Sequence, residues 1–543
     1  MDPLSFTEMT SVFIVLFLVF VFLGFYGARF RKGNLDQLWD WALAGRKLGA
    51  ALTFFLQGAD WYTAYSILAI PSAVFVSGAY GFFGVAYQAM VFTFAMIFIP
   101  KLWQKAKDKG YVTASDFVKD KYGGRALPVF IALIGIFSLV PYIALQITGL
   151  QAVLASMLLG TVSSSQIAEI SLIIAFLILA GFTYTSGLRG ATLGAVMKDV
   201  LVWIALIAVV VATLFSVGGF TTGIQGLPSK YLTVSPSLAA AFSTSMLGVV
   251  VSAYLWPHNI NAALGAQSAK KLRTGFSLAV LYSIPLALGD MLGIYVNKVP
   301  AAMNFLSNFP AASRGIYVIP SLVITLLPAW LAGLALLGIF IGGLVPAAVM
   351  AISQGNLIAR NVVKEFKPGL TEKGEATIAK WASAVFKFVA LAVVFAIPAT
   401  YALQFYLVGA IIIIQLLPAV FLSLYTNWFK KEAIFAGTAL SIIVGLYLVL
   451  QANHFGRITT TLYPTPLGSL YIGVIVLALN LLVTAALSAV IPGRGVIPQV
   501  QVPGGITSPA KGVDATSFGA SRASILDKSE KPEDSMNKQN TSG

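Results

Sequence analysis

The sequence predicts an all-α integral membrane protein of about thirteen transmembrane helices. Three observations carry that expectation. Of 543 residues, 58% are hydrophobic and only 10% charged, with a mean hydropathy of +0.86; a soluble domain carries roughly 25% charged residues. Apolar runs of the ~20 residues that a bilayer demands recur along the whole chain. The loops between them alternate between strongly basic and nearly uncharged.

The runs lie near 7–28, 48–76, 78–100, 127–158, 166–184, 191–217, 238–263, 275–296, 326–359, 378–396, 399–425, 432–452 and 467–490, and are numbered here as spans 1 to 13. The first ends in Arg29-Phe30-Arg31-Lys32 and lacks a basic leader, so it reads as a membrane span with a basic stop and not as a cleaved signal. A shorter apolar stretch at 314–325, with Pro320 inside it and Pro328 beyond, reads as a loop helix. With this division one side of the membrane holds 23 lysines and arginines and the other holds Lys230, Lys298, Arg314 and Arg457. The excess of basic loops marks the cytoplasmic side, which puts the N-terminus outside, the C-terminus inside and the protein in the cell membrane. The net charge of +15 then belongs to loops beside a lipid bilayer, and no nucleic-acid partner is expected. Residues 1–491 form the transmembrane domain; 492–543, rich in Gly, Pro, Ser and Lys, read as a disordered cytoplasmic tail.

Composition also excludes chemistry. There is no cysteine and there are two histidines, His258 and His454. No phosphate-binding loop, kinase signature or metalloprotease motif occurs, and no nucleophile sits with a plausible base. An enzyme is therefore not expected, and no cofactor beyond a coupling ion.

Ionisable residues inside spans are costly and read as functional. They are Asp60 in span 2, Lys198 and Asp199 in span 6, His258 in span 7, Asp290 in span 8 and Lys387 in span 10. Lys387 is near enough to the basic face to snorkel there. In span 2, Gln57, Gly58, Asp60, Thr63 and Ser66 interrupt the apolar run, which predicts an unwound middle whose freed carbonyls can hold a cation and whose outer half-helix amides can meet an anion. In span 7, Pro257 removes an amide donor amid Trp256, His258, Asn259 and Asn261, predicting a second break. The two breaks fall at matching positions of two five-helix units, spans 2–6 (48–217) and 7–11 (238–425), that start on opposite sides of the membrane. Interrupted helices so placed in an inverted repeat point to a central transport site. Spans 1, 12 and 13 are additions to it.

Several segments resemble the sodium:solute symporter family of the LeuT-like superfamily. They are Leu43-Ala44-Gly45-Arg46 with Leu48-Gly49; Ala64-Tyr65-Ser66; Gly78-Ala79-Tyr80-Gly81; Thr113-Ala114-Ser115-Asp116-Phe117 with Arg125-Ala126-Leu127; and Pro257-His258 followed by Gly265-Ala266-Gln267-Ser268 and Lys271-Leu272-Arg273. The resemblance covers about residues 40–430. It implies cation-driven uptake of a small organic solute by alternating access, with sodium as the family's ion. The family's sodium site maps to the carbonyls of Ala59 and Tyr62 and to span 9, where the usual serine pair falls on Val345 and Pro346 and the third position on Gly342. Neither Val345 nor Pro346 has a hydroxyl. In span 6 the family's hydroxyl residue before the aspartate is replaced by Lys198, next to Asp199.

Two readings of Lys198 stay open. Its ammonium stands in for the sodium ion and makes transport proton-coupled or sodium-independent, or it snorkels, neutralised by Asp199, and sodium binds elsewhere. For the solute site the expected polar contacts are Gln57, Asp60, Thr63, Ser66, His258 and Asn259, with Trp61, Tyr62, Tyr142, Tyr254 and Trp256 as walls or gates; Gln146 and Gln415 are further candidates. The solute class stays open among monocarboxylates, amino acids, sugars and vitamins. A transporter-like membrane sensor, which would need a signalling domain after span 13, is the other class of reading, with a channel or membrane enzyme behind it.

Overall fold

Asp2 caps the first helix. Its carboxylate accepts from the Ser5 amide at 3.0 Å, and Pro3 fills the first helical position, where no amide donor is required. From this start the computed structural model describes residues 2–31, 33–160, 164–396, 402–492, 499–501 and 507–509. Lys32 and most of 492–543, expected as a disordered tail, lie outside the described residues. Two units are distinguished, Met1–Val496 and Ile497–Gly543. In the second, Gln499–Gln501 pairs antiparallel with Thr507–Pro509.

Among the described residues twelve helical segments are long and apolar enough to cross a membrane. One of them, Tyr65–Lys109, has 45 residues, more than twice what a bilayer needs. Gly78, at φ +66° with a short 3-10 turn after it, divides that stretch into the outer half of span 2 and span 3 (Phe83–Lys109). A side chain at Gly78 would also strike the Lys230 carbonyl, 2.1 Å from an added Cβ. The inner half of span 2, Ala50–Ala59, is too short to cross alone, so the expected count of about thirteen agrees once the broken helix is counted as one span.

The remaining spans follow in order: span 4 Ala126–Met157, span 5 Ser164–Ser186, span 6 Leu188–Val217, span 7 Pro236–Ala253 with Pro257–Leu264, span 8 within Ala269–Lys298, span 9 Ala329–Asn356, span 10 Glu372–Ala396, span 11 from Ala402, span 12 Lys431–Ala452 and span 13 Ile472–Val490. Every residue of span 9 from Ala335 to Asn356 is buried, whereas span 1 buries only Met9, Phe13, Phe20 and Gly24, so span 9 lies in the protein core and span 1 at its periphery. The loop helix expected at 314–325 is Ala311–Leu326, and its Gly315 lies against Ser72.

The inner halves of the two broken spans are tied at the basic face. Leu48 donates its amide to the Gly265 carbonyl at 3.2 Å and accepts from the Gln267 amide at 2.8 Å. The Trp103 indole closes over this joint by donating to the Ala266 carbonyl at 3.0 Å. Around it, Asp116 and Glu375 gather Arg360, Glu375 also holds Lys364, and Glu365 takes Lys119. On the opposite face a cavity of about 400 Å³ opens among Ser72, Tyr80, Ile316, Leu403, Gln404 and Thr460. The transmembrane unit is thus tied together at its basic loops and carries its larger described cavity towards the other side.

Candidate solute and cation site

Span 2 unwinds at Asp60–Ala64. Its inner half ends at Ala59 and the outer half resumes as a π-helical turn, Tyr65–Ala69. Backbone groups stranded by a break in a membrane must be satisfied internally. Three amides are satisfied by side chains: Thr63 N by Ser66 Oγ at 3.1 Å, Ala64 N by Gln146 Oε1 of span 4 at 2.9 Å, and Tyr65 N by Thr63 Oγ1 at 3.2 Å. Ser66 Oγ also donates to the Trp61 carbonyl. Thr63 and Ser66, expected as solute contacts, are therefore occupied in holding the break. The outer half-helix amides of Thr63, Ala64 and Tyr65, expected to meet an anion, are capped.

The freed carbonyls face span 6. Lys198 Nζ donates to the Ala59 and Tyr62 carbonyls, each at 2.9 Å, and lies 2.9 Å from Asp199 Oδ1. The last contact is an ion pair between sequence neighbours and is poorly directed as a hydrogen bond, since Asp199 Oδ1 has no partner of good geometry. Asp199 Oδ2 accepts from the Tyr282 hydroxyl at 2.7 Å. Gly58 makes room for that tyrosine, whose Cζ would be 1.9 Å from an added Cβ. Lys198 and Asp199 are fully buried, so Lys198 does not snorkel. An added Cβ on Gly342 would lie 3.6 Å from the Tyr62 carbonyl, which places span 9 at the same spot, with Val345 and Pro346 buried beside it. A sodium ion does not fit here: its carbonyl ligands already accept from an ammonium, and the third wall offers no hydroxyl. Among the described residues no three His, Asp or Glu side chains converge to hold another metal.

Span 7 breaks at Tyr254–Trp256, with Pro257 at the first position of the inner half. Proline there needs no amide partner. The two breaks meet directly. Tyr254 donates its hydroxyl to Gln57 Oε1 at 2.7 Å, and its ring centroid is 6.1 Å from that of Trp61. Asn259 reaches back to the Ala253 carbonyl at 2.6 Å. Tyr142 of span 4 stands 5.0 Å from Trp256 and 5.5 Å from His258. The structure therefore brings Gln57, Asp60, Trp61, Tyr142, Tyr254, Trp256, His258 and Asn259 into one cage beside the Lys198 pair.

Three walls of that cage were not anticipated: Tyr65, Tyr87 and Tyr406. Tyr65 stacks on Tyr406 at 4.0 Å, Tyr406 touches Tyr142 at 4.9 Å, and Tyr87 lies 6.1 Å from Tyr65 and 6.2 Å from Trp61. Ala69, one turn beyond Tyr65, and Leu403 and Leu407, flanking Tyr406, line the 400 Å³ cavity. The Tyr65–Tyr406 stack is thus the floor of the vestibule and the roof of the cage. Gln415 turns away: it accepts from Asn480 of span 13 at 3.1 Å. Lys387 does not reach the basic face. It is buried and donates to Thr183 Oγ1 at 2.9 Å and Ser383 Oγ at 3.0 Å, because span 5 offers it acceptors inside the bundle.

The cage is polar where it matters. Asp60 has both carboxylate oxygens unpartnered, and so are Gln57 Nε2, the Tyr65 hydroxyl, Asn259 Oδ1 and both His258 nitrogens, while the Trp61 and Trp256 indoles face the Tyr254 and Tyr406 hydroxyls. Each buried polar group left unpaired costs about 1–3 kcal/mol. So many in one place mark the meeting point of the two breaks as the candidate solute site.

The profile of the Sodium:solute symporter family matches residues 41–443. The chain belongs to that family. It is a multi-pass membrane protein that performs secondary active solute symport. Over 493 residues it is 36% identical to the "Monocarboxylate transport permease protein" of Rhizobium johnstonii, covering 89% of this chain and 97% of that one. It is 29% identical to a Bacillus subtilis protein named as the symporter YodF, over 81% and 88% of the two chains. Its fold resembles that of a Na+-coupled sialic acid symporter solved in a substrate-bound outward-open state, with a TM-score of 0.69, 15% identity, and 90% and 98% of the chains covered. In this symporter both helix breaks are present, and Lys198 occupies the carbonyls of the first.

Proposed function

We propose that this symporter imports a small monocarboxylate with a proton, and that the Lys198 ammonium is a built-in cation at the family's sodium position. The observation that carries this reading is the pair of 2.9 Å bonds from Lys198 Nζ to the Ala59 and Tyr62 carbonyls. A tethered cation satisfies the break in every state of the cycle, so binding and release of sodium there cannot drive transport. The name of the Rhizobium johnstonii relative supports a monocarboxylate. So does the cage, whose unpartnered donors, Gln57 Nε2 and the Tyr65 hydroxyl, suit a carboxylate. The distribution of basic loops supports an external N-terminus, an internal C-terminus and a vestibule that faces outward.

The test is uptake of acetate, lactate and pyruvate, with an amino acid and a sugar for comparison, into vesicles containing the purified protein. Uptake should saturate, rise with an inward proton gradient and be indifferent to replacement of sodium by potassium. Strict sodium dependence with a flat pH profile would overturn the reading and move the ion to another site.

A further inference from the structure

Resting on the reading above, we infer that the coupling proton is shared between Asp60 and the carboxylate of the solute itself. Two carboxyl groups in the cage then hold one proton, and an anion can enter only in company with it.

The charges around Asp60 leave little alternative. Lys198 is the cation nearest to it, within electrostatic reach together with Asp199. Two of the three N–H bonds of the ammonium go to the Ala59 and Tyr62 carbonyls, and Asp199 Oδ1, 2.9 Å away, already balances its charge before a solute arrives. The other titratable groups facing the cage are neutral tyrosines, Tyr62 and Tyr65 on span 2, Tyr87 on span 3, Tyr142 on span 4, Tyr254 on span 7 and Tyr406 on span 11, and His258, whose two nitrogens are unpartnered between Tyr142 and Trp256. Span 8 contributes Tyr282, already committed to Asp199, and Asp290, buried with both oxygens free. Asp60 itself is 2% exposed and accepts from nothing.

A monocarboxylate drawn to the Gln57 amide and Tyr65 hydroxyl donors brings a second negative charge beside this one. Two carboxylates confined in a buried site do not both stay ionised; they share a proton. On the outer side one proton and one anion are taken up, giving an acid–carboxylate pair in which the O–H of one oxygen donates to the other group. On the inner side both leave, and Asp60 is again a carboxylate. The cage carries the same net charge empty and loaded, because the proton cancels the anion and the Lys198–Asp199 pair is constant. Transport is therefore electroneutral, one proton to one anion.

The experiment uses the full-length protein in vesicles with pyruvate, lactate and acetate as probes, an internal pH dye, and a potassium–valinomycin potential. Wild type should carry one proton per solute at a rate that the potential does not alter. Where empty Asp60 is ionised, apparent affinity should fall tenfold for each unit of pH rise. Asp60→Glu, which keeps the acid, should keep that slope. Asp60→Asn should lose the proton flux, and its pyruvate affinity, read by quenching of intrinsic tryptophan fluorescence in detergent, should be flat in pH. Should D60N fail to insert, the proton flux of Asp290→Asn decides: it should persist if Asp60 holds the proton and vanish if Asp290 does. A potential-sensitive wild type, a flat profile in D60E, or a proton flux that survives in D60N and vanishes in Asp290→Asn overturns the Asp60 pairing alone. Monocarboxylate uptake driven by sodium with no proton movement overturns the reading beneath it as well.

Discussion

The side-chain nitrogen of Lys198 and the backbone oxygen of Tyr62 are 2.9 Å apart, though 136 residues of sequence separate them. One side chain from span 6 thereby closes the gap that the unwinding of span 2 leaves open. A charge buried in a bilayer protein is retained only where partners surround it, and removing one member of a buried pair costs about 3–5 kcal/mol.

Lys198→Ala should accordingly lower the thermal unfolding temperature of the detergent-solubilised protein by several degrees and cripple concentrative uptake. Sodium should not rescue it, because Val345, Pro346 and Gly342 offer no side-chain ligand. Recovery of uptake in K198A on addition of sodium would show that the cation position remains open to the ion.

Removing half of the cage roof should uncouple closure from binding. Aromatic stacking is worth about 0.5–1.5 kcal/mol beyond burial, so Tyr406→Ala should weaken apparent solute affinity by roughly tenfold or less while leaving the protein folded. Iodide added outside should then quench tryptophan fluorescence from Trp61 and Trp256 more strongly than in wild type. Unchanged quenching would place the barrier to the vestibule elsewhere.

Lys121 lies in the loop helix Ala114–Tyr122, outside the spans. Burial, and the nearby Lys105 and Lys101, lower the pKa of its amine to about 8; its ammonium donates to the Ser423 and Thr426 carbonyls at the end of span 11. Burial disfavours the charged form, so the lysine costs stability below pH 8, and that cost is relieved as pH rises from about 8 towards the ordinary value of about 10.4. Amine-selective labelling read by mass spectrometry should show Lys121 gaining reactivity with a midpoint near pH 8, against a far higher midpoint for an exposed lysine such as Lys373. A midpoint near 10 would mean that the loop helix is better hydrated than the packing implies.

Orientation is open to direct labelling in this cysteine-free chain. Single cysteines at Ser229 and Ser307, both exposed on the vestibule side, should react with a membrane-impermeant maleimide from outside intact cells. Protection of both with labelling of a cysteine at Ser535, a position outside the described residues, would invert the topology.

Much of this was legible in the linear sequence, for reasons that differ by residue. The breaks were visible because Gly58, Asp60 and Pro257 are conspicuous in a membrane span. The missing hydroxyls at Val345 and Pro346 left Lys198 with two readings, and only its burial and its bonds to the Ala59 and Tyr62 carbonyls set snorkelling aside. Tyr65, Tyr87 and Tyr406 were not anticipated, because a tyrosine within an apolar run looks like ordinary packing until three converge; the Tyr87–Gln88 pair in span 3 was the one polar hint. Thr63 and Ser66 were assigned to the solute because a hydroxyl near a break can serve either a guest or the backbone, and only geometry distinguishes them. Gln415 and Lys387 depended on helix rotation, which hydropathy in an almost uniformly apolar span does not encode.

One contact bears on how such a chain could move. Gln146 grips the Ala64 amide, and Gly149, three residues on along the same helix face, leaves room for the Ala64 methyl, which would be 2.4 Å from a Cβ added there. Span 4 thus holds a single residue of the unwound segment by one hydrogen bond and one notch, much as an axle is held in a bearing. Rotation about Ala64 would keep both, whereas sliding along span 4 would lose both. At this contact a tilt of the outer half of span 2 therefore costs less than a translation along span 4, and Ala64 is the point about which such a tilt would turn.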